Sequence, residues 1–241
     1  MPELKESQAA PTRRRLIMMS TAFVLAGGMQ GRANERNGKM AQVWAVGFDD
    51  GYDVRVGLEF LDGDLRKTEY VDTTPDGRSL GTFRLGEKRL GRALKPDHIP
   101  TKFRWGGAAS RMPDIMLSHS VILVSDKVRT IIETLEPRVH QFFPLETWCR
   151  GNQPGPRMHL LNICNRLDSV DREKTTKQYV YELRWKNEGQ GELVFDLDQI
   201  GNHRLWHDKH IYDNFYFTDE VKAAFEAEKV TGIKYFSYRA E

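Results

Sequence analysis

The 241-residue sequence predicts an α+β fold, a largely antiparallel sheet with a few packed helices. Two observations support this class. Short β-rich runs recur between Gly, Pro and Asp-Gly turn signals, and two amphipathic helical patterns each follow such a run directly. Hydrophobic residues make up 39% of the chain and charged residues 29%, which is typical of a globular protein rather than a disordered chain or a coiled coil.

Residues 1–39 form a leader that differs from the rest of the chain. The first 40 residues hold 7 of the 36 basic and 3 of the 34 acidic side chains, so the remainder is slightly acidic. Arg13 and Arg14 begin a basic cluster before an apolar run (residues 16–28) that suits a signal-peptide core and is too short to span a membrane. Three interpretations are open: translation that starts at Met40, a twin-arginine export signal, or a disordered tethering arm.

Residues 40–241 are predicted to form one domain without a membrane span. The β-rich runs 41–48 and 54–60 flank a turn signal and predict a hairpin. Residues 86–105 are locally basic with interleaved aromatic residues, and suit a phosphate or RNA surface, an acidic partner or a solvated flank. The near-neutral body gives nucleic-acid binding little support.

A strand, a helix and a second strand follow in the middle of the chain. Ser125 stands at the N-cap position after the apolar run 121–124, and Pro137 ends the helix before a strand at 139–143. The apolar stripe of this helix has i, i+3, i+4, i+7 spacing and consists of Val128, Ile131, Ile132 and Leu135.

The C-terminal segment repeats this plan, with Thr218 at the N-cap position and a closing strand at 233–238. The two segments align without gaps at an offset of 93 residues, which indicates an internal strand-helix-strand repeat. Convergent use of the same capping rules is the alternative. Between the two segments, residues 178–185 and 192–197 predict a second hairpin.

One histidine-rich segment has a spacing that suits a metal site. His203, His207 and His210 stand at i, i+4 and i+7, and on a helix they could bind zinc together with Asp208. The segment is short and polar for a helix, so packing or solvation is the alternative. We find no nucleophile motif and no phosphate-binding glycine loop, so the sequence predicts a protein without catalytic residues or a cofactor. The two cysteines, Cys149 and Cys164, allow one disulfide or two buried thiols.

Several motifs resemble one known family. They are Val124-Ser125, Leu135-Glu136-Pro137 and Gln141-Phe142-Phe143-Pro144, followed by the strand and Asp-rich turn at 158–171 and the closing elements up to 238. Over residues 110–238 the chain resembles the Imm-eleven immunity proteins of bacterial polymorphic toxin systems, a family formerly catalogued as a domain of unknown function.

This resemblance implies a non-enzymatic immunity protein that neutralises a cognate toxin encoded nearby by binding it. A cytosolic toxin requires a cytoplasmic antidote, whereas a genuine export signal at Arg13-Arg14 would place the protein in the periplasm. The alternative function is a metal-assisted hydrolase that reverses a toxin's modification and uses the histidine-rich segment.

Tight neutralisation depends on a few aromatic or arginine side chains at the centre of an interface. Two predicted loops carry such residues, and the strand-helix-strand units could place both loops at one rim. The toxin-contact candidates are Trp148, Arg150, Arg204, Trp206 and His207.

Overall fold

A computed structural model describes the chain in seven ranges: 41–48, 57–72, 91–118, 121–180, 184–185, 189–211 and 214–241. The predicted leader, residues 1–39, lies outside the described residues, as does the turn signal of the first predicted hairpin.

Strands dominate the described part of the chain. In chain order the strands are β1 (Gln42–Phe48), β2 (Leu58–Phe60), β3 (Lys102–Trp105), β4 (Ile115–Ser118), β5 (Val121–Ser125), β6 (Gln141–Cys149), β7 (Gln153–Pro154), β8 (Met158–Asn162), β9 (Arg166–Leu167), β10 (Tyr179–Val180), β11 (Arg184–Trp185), β12 (Val194–Phe195), β13 (Leu205–Asp208), β14 (Tyr216–Thr218) and β15 (Ile233–Ala240). The α-helices are α1 (Asp126–Leu135), α2 (Leu197–Ile200) and α3 (Asp219–Ala227), and a 3-10 helix spans Ala109–Arg111.

Two mixed sheets form the framework. The first sheet has the order β12-β15-β1-β14-β13-β9, and the second has the order β2-β3-β6-β8-β5-β4 with β7 beside the end of β6. The pairs β12–β15 and β9–β13 of the first sheet and the pair β3–β6 of the second are parallel. The sheet-rich fold with few helices is confirmed, and parallel pairs occur in both sheets.

Both predicted hairpins are wrong. Strand β1 pairs with β14 and β15 in the first sheet, whereas β2 pairs with β3 in the second. Strand β10 pairs with β11, whereas β12 lies parallel to β15. Both edges of β1 are already paired, one with β14 and the other with β15, so no edge is left for β2.

The two strand-helix-strand units have the same topology. In the unit β5-α1-β6 the antiparallel strand β8 lies between the two strands, and in the unit β14-α3-β15 strand β1 takes that place. The neighbouring strands also correspond, because β3 lies parallel to the end of β6 as β12 does to the end of β15. Each sheet therefore contains one five-strand arrangement, β3-β6-β8-β5-β4 and β12-β15-β1-β14-β13.

Side-chain contacts correspond as well. His159 Nε2 lies 2.6 Å from Asp126 Oδ1 at the start of α1, and Trp44 Nε1 donates to Asp219 Oδ1 at 2.7 Å at the start of α3. His159 belongs to β8 and Trp44 to β1, the strands that lie between the two strands of each unit. At the 93-residue offset, Asp126 matches Asp219.

The strand after each helix contributes an aromatic ring to the same cluster. Phe142 meets the His159 ring edge-on at 6.4 Å, and Tyr235 meets the Trp44 ring edge-on at 6.3 Å. A helix cation lies over each aromatic ring, Arg129 over Phe142 and Lys222 over Tyr235. Tyr235 follows Phe142 by 93 residues, and Lys222 follows Arg129 by the same number. The correspondence between the two units therefore extends from topology to individual contacts.

The two helices and both sheets share a central hydrophobic core. Strand β5 shows how the sheets divide their side chains, because Ile122 and Val124 face this core while Val121 and Leu123 face another on the opposite side of the second sheet. The first sheet has its own outer core, which contains Trp206 and Tyr216. Period-two alternation with both faces apolar explains why these strands are uniformly hydrophobic.

A carboxylate holds the start of α1 against the chain that follows α3. Asp114 accepts hydrogen bonds from Ser125 Oγ at 2.8 Å and from the Thr231 N–H at 3.0 Å, and Lys127 Nζ lies 3.1 Å away. Burial raises the pKa of Asp114, but these hydrogen bonds together lower it below its usual value. The charged carboxylate therefore joins the two units at this end of α1.

A second carboxylate, Glu136, follows the last residue of α1 and is only 7% exposed. His140 Nε2 lies 2.8 Å from Glu136 Oε2, and the Asn165 side-chain amide donates to Oε1 at 3.0 Å. The N–H groups of Arg204 and Leu205 donate to the two oxygens at 2.9 and 3.0 Å. Glu136 thus ties α1 to both sheets.

Four hydrogen-bond donors offset two effects that disfavour the charged form of Glu136. A negative charge at a helix C-terminus opposes the helix dipole, and burial raises the pKa of Glu136. The hydrogen bonds from His140 and from the Arg204 N–H outweigh burial, so the pKa lies below its usual value of 4.5. The His140 proton is assigned to Nε2, because His140 Nδ1 accepts from the Cys164 N–H at 3.1 Å.

We predict that Glu136→Gln lowers the free energy of unfolding by about 2–4 kcal/mol, measured by urea denaturation at pH 7. The amide nitrogen would place a second donor against one of the existing donors. The matched control is Glu133→Gln on the same helix, where an exposed pair with Arg129 is lost. Such pairs contribute about 0.2–1 kcal/mol, so equal effects of the two variants would contradict the role of Glu136.

The loss of stability caused by Glu136→Gln should depend on pH. Because the folded-state pKa of Glu136 is lowered, its stabilising contribution is complete above pH 4.5 and is lost as the pH falls through the folded-state value. The difference in stability between wild type and Glu136→Gln should therefore shrink on acidification, and a constant difference down to acid unfolding would contradict this assignment.

Candidate interaction surface

The histidine-rich segment is not a helix. Its central part is strand β13, so alternate side chains point to opposite faces and the i, i+4, i+7 spacing does not bring the three rings together. His207 Nδ1 lies 3.1 Å from the Asn214 carbonyl oxygen, and His210 Nε2 lies 3.4 Å from Asp168. His203 precedes the strand and is half-buried. In the part of the chain that the structure describes, no three His, Cys, Asp or Glu side chains are grouped as metal ligands.

Asp208 is fully buried and has a structural role. It accepts hydrogen bonds from the Ser169 N–H and hydroxyl, both at 2.8 Å, and from the His210 N–H at 2.7 Å. Burial raises the pKa of Asp208 although these donors act in the opposite direction. The carboxylate fixes β13 to the loop that contains Ser169.

Neither cysteine is an activated nucleophile. Both thiols are free, and burial raises the pKa of Cys149 above its usual value and that of Cys164 to about 11. Near pH 7 both thiols are protonated, so Arg150 does not activate its neighbour Cys149.

Two of the five contact candidates lie in the core. Trp206 is 0% exposed, its indole N–H donates to Ser169 Oγ at 2.9 Å, and its ring packs with Phe195 and Tyr216. His207 is 2% exposed. Sequence placed this segment in a loop, but both side chains belong to a strand that is buried on both faces, so neither is available to a partner.

The remaining candidates do not share one rim. The Arg204 N–H binds Glu136, which also binds His140 next to the start of β6. Trp148 lies eight residues further along the chain from His140, which corresponds to about 25 Å of strand. The Arg204 guanidinium pairs with Glu220 and donates to the Asn202 carbonyl oxygen at 2.7 Å, so it is engaged within its own unit.

Trp148 and Arg150 belong to a different surface, on the side of the second sheet that carries α1 but beyond the end of that helix. Alternation buries Phe103, Trp105 and Leu145 on the side of the sheet that faces away from α1. The opposite side, which we call the Trp148 face, is exposed or half-buried and consists of Glu59, Lys102, Arg104, Pro144, Glu146 and Trp148 with the turn residues Arg150, Pro154 and Arg157. Strand register places Arg104 beside Trp148 and Lys102 beside Glu146.

A cleft of about 410 Å³ opens on this face between β6 and the turn that joins β7 to β8. Pro144, Trp148, Pro154 and Arg157 are among the residues that line it. Arg150 is exposed, and its Nε donates to the Gly106 carbonyl oxygen at 3.0 Å, which holds the guanidinium beside β3. The face therefore offers an aromatic ring, two prolines and ordered arginines, the composition of residues that anchor interfaces.

Ion pairs neutralise much of the basic segment 86–105. Arg104 lies 2.8 Å from Glu59, Lys95 lies 2.7 Å from Glu69, and Lys102 reaches Glu146 at 4.0 Å. A phosphate or RNA surface requires cations whose charge is not already compensated, so these pairs argue against that interpretation. Residues 86–90 lie outside the described residues.

We predict that Trp206→Ala lowers the free energy of unfolding by about 3–5 kcal/mol, because it removes a fully buried aromatic side chain. Trp148→Ala is the matched comparison and should cost markedly less, since that ring is half-exposed. Chemical denaturation followed by circular dichroism measures both values. Equal losses, or a stable Trp206→Ala protein, would contradict the assignment of Trp206 to the core.

Comparisons with known proteins agree with the sequence motifs. None of the helices in the described ranges has both the length and the apolar character of a membrane span. No curated protein is significantly similar to the chain. Residues 82–239, about two thirds of the sequence, match the family model of the immunity protein family Imm11. The matched range includes the strands from β3 to β14, both long helices and the Trp148 face from Lys102 onward. The chain therefore belongs to the immunity protein family Imm11.

Proposed function

We propose that this protein binds a cognate toxin encoded nearby and neutralises it by occlusion, without catalysis, within a polymorphic toxin system used in competition between bacteria. Membership of the immunity protein family is the observation that carries this proposal. Neutralisation by occlusion requires a complementary surface rather than a catalytic group, and neither nucleic acid nor a cofactor takes part in it.

We assign the first toxin contacts to the Trp148 face. Trp148 is half-buried in the middle of this face, where a partner would complete the burial of its ring. Arg150 and Arg157 are both exposed, and the Gly106 carbonyl oxygen accepts from Arg150 Nε, so their guanidinium groups can meet acidic groups of a partner. Trp and Arg are the residue types that most often dominate the binding energy of an interface.

The first test is a pull-down of the tagged full chain from its native host, read by mass spectrometry. We expect one stoichiometric partner with a toxin-like C-terminal domain. Trp148→Ala and Arg150→Ala should each raise the Kd for that partner at least about tenfold, measured by calorimetry.

Matched controls keep this test specific. Tyr179→Ala removes another partly exposed aromatic, on the separate β10–β11 sheet, and Arg66→Ala removes another exposed arginine. Both should leave the Kd unchanged. Failure to capture a toxin from cells that express the neighbouring genes would overturn the proposed function, and a wild-type Kd for Trp148→Ala would overturn this contact surface alone.

We also propose that translation starts at Met40 and that the protein acts in the cytoplasm. A protein that acts on a cytosolic toxin needs no export signal. The same mass spectra test this, because a native N-terminal peptide that begins upstream of Met40, or one trimmed after the Arg13-Arg14 leader, would support the export alternative and a periplasmic toxin.

We further infer that the domain arose by internal duplication of a largely antiparallel strand-helix-strand unit. The equal strand orders and the matched contacts of Asp126 with His159 and of Asp219 with Trp44 support this inference. In the second unit β1, from the start of the domain, fills the place that β8 takes in the first.

A circular permutant tests whether the second unit folds when β1 follows β15 in the chain, which is the order that the duplication implies. The Ala240 N–H donates to the Ala41 carbonyl oxygen at 3.1 Å, so a short glycine-rich linker can join the end of β15 to the start of β1. With new termini between residues 49 and 56, β1 would follow β15 as β8 follows β6. We expect the permutant of residues 41–241 to unfold cooperatively with a Tm near that of the parent. A permutant opened inside α1 is the control, and equal failure of both would contradict the inference.

A further inference from the structure

The two long helices lie side by side and run in opposite directions. Asp114 joins Ser125, the N-cap of α1, to Thr231 beyond the end of α3. At the other end, Arg204 joins Glu136, which follows α1, to Glu220 in the first turn of α3. A groove of about 600 Å³ opens along this antiparallel pair.

Small side chains on α3 create the space. Ala224 and Ala227 line the groove, and the residues that match them in α1 at the 93-residue offset are the larger Ile131 and Thr134. The groove is therefore a point at which the two otherwise corresponding units differ. The shape of the surface between the helices therefore depends on these side chains as well as on the strand and helix arrangement that the two units share.

The interior of the groove is effectively apolar. Ile131, Leu135 and the two alanines contribute hydrocarbon surface. Thr130 Oγ1 donates to the Asp126 carbonyl oxygen and Thr134 Oγ1 to the Thr130 carbonyl oxygen, both at 2.8 Å, so their hydroxyls are satisfied within α1. An aliphatic side chain would bury surface there without leaving these hydroxyl groups unpaired.

The charges at the rim favour a cationic partner. Two carboxylates line the groove: Asp126, whose side chain is 56% exposed and whose Oδ1 lies 2.6 Å from His159 Nε2, and Glu228, which is exposed. The one cation in the lining, Lys127, already lies 3.1 Å from Asp114. The rim therefore presents negative charge that a lysine or arginine beside an aliphatic anchor would complement.

The Asp126 end of the groove lies close to one end of the Trp148 face. Asp126 Oδ1 lies 2.6 Å from His159 Nε2, and His159 pairs across the sheet with Pro144, the first residue of that face on β6. Neighbouring strands lie about 5 Å apart, so Pro144 lies close to the Asp126 end of the groove, and a partner that extends from Trp148 past Pro144 could reach it.

We propose that the α1–α3 groove is the second part of the toxin-binding surface, and that it receives a toxin segment presenting an aliphatic side chain next to a lysine or arginine. This inference rests on the proposed function, because the partner is the toxin. It adds the chemistry of the toxin segment, which the Trp148 face does not specify.

The test measures binding of full-length variants to the captured toxin by calorimetry. Ala227→Trp fills the groove, and Glu228→Lys reverses the charge at its rim; each should raise the Kd about tenfold or more. Ala223→Trp changes an exposed alanine of the same helix that does not line the groove, and Glu173→Lys makes the same charge change in an exposed turn. Both controls should bind within about twofold of wild type.

Each outcome separates this proposal from the proposed function. If the toxin is captured but Ala227→Trp and Glu228→Lys bind it like wild type, the groove assignment is overturned and the immunity function stands. If wild type captures no toxin, both fail. A wild-type dimer in sedimentation that Ala227→Trp dissociates would assign the groove to a second copy of the chain and also overturn the proposal. The exposed Glu228→Lys variant keeps the test decisive if Ala227→Trp does not fold.

Discussion

The buried carboxylate of Glu136 is the constraint on which the arrangement of the two units depends. It lies where a negative charge is least favoured, at the C-terminus of a helix and out of water. Four donors from three other parts of the chain, around His140, Asn165 and Arg204, hold it there. Moving either sheet relative to α1 would leave the charge unpaired, so the position of one side chain sets the relation of both sheets to the helix.

Asp114 makes the corresponding tie at the other end of α1. Together the two carboxylates fix α1 and α3 as an antiparallel pair whose outer side is open. The groove between the helices exists because Ala224 and Ala227 are smaller than their counterparts on α1. Polar ties thus set the helix positions, and side-chain size then decides the shape of the surface that a partner meets.

The surfaces that we assign to toxin binding are those that the framework leaves available. Burial assigns Trp206 to packing, hydrogen bonds assign Asp208 to the fixation of β13, and ion pairs occupy Lys95 and Arg204. In the described part of the chain, the Trp148 face and the nearby groove remain exposed and are chemically suited to a protein partner. An immunity protein needs such a surface, and its specificity follows from shape and charge rather than from catalytic groups.

The sequence by itself determined the local elements. N-cap residues, apolar stripes and Pro137 located α1 and α3, because capping and periodicity depend only on near neighbours in the chain. The motif that contains Glu136 is one of those that resemble the family, although nothing in the motif indicates that the carboxylate is buried. Tertiary structure alone decided the partners of β1, the burial of Trp206 and the separation of Arg204 from Trp148. Strand pairing and burial depend on which distant segments complete a sheet and a core, and local sequence patterns carry no such information.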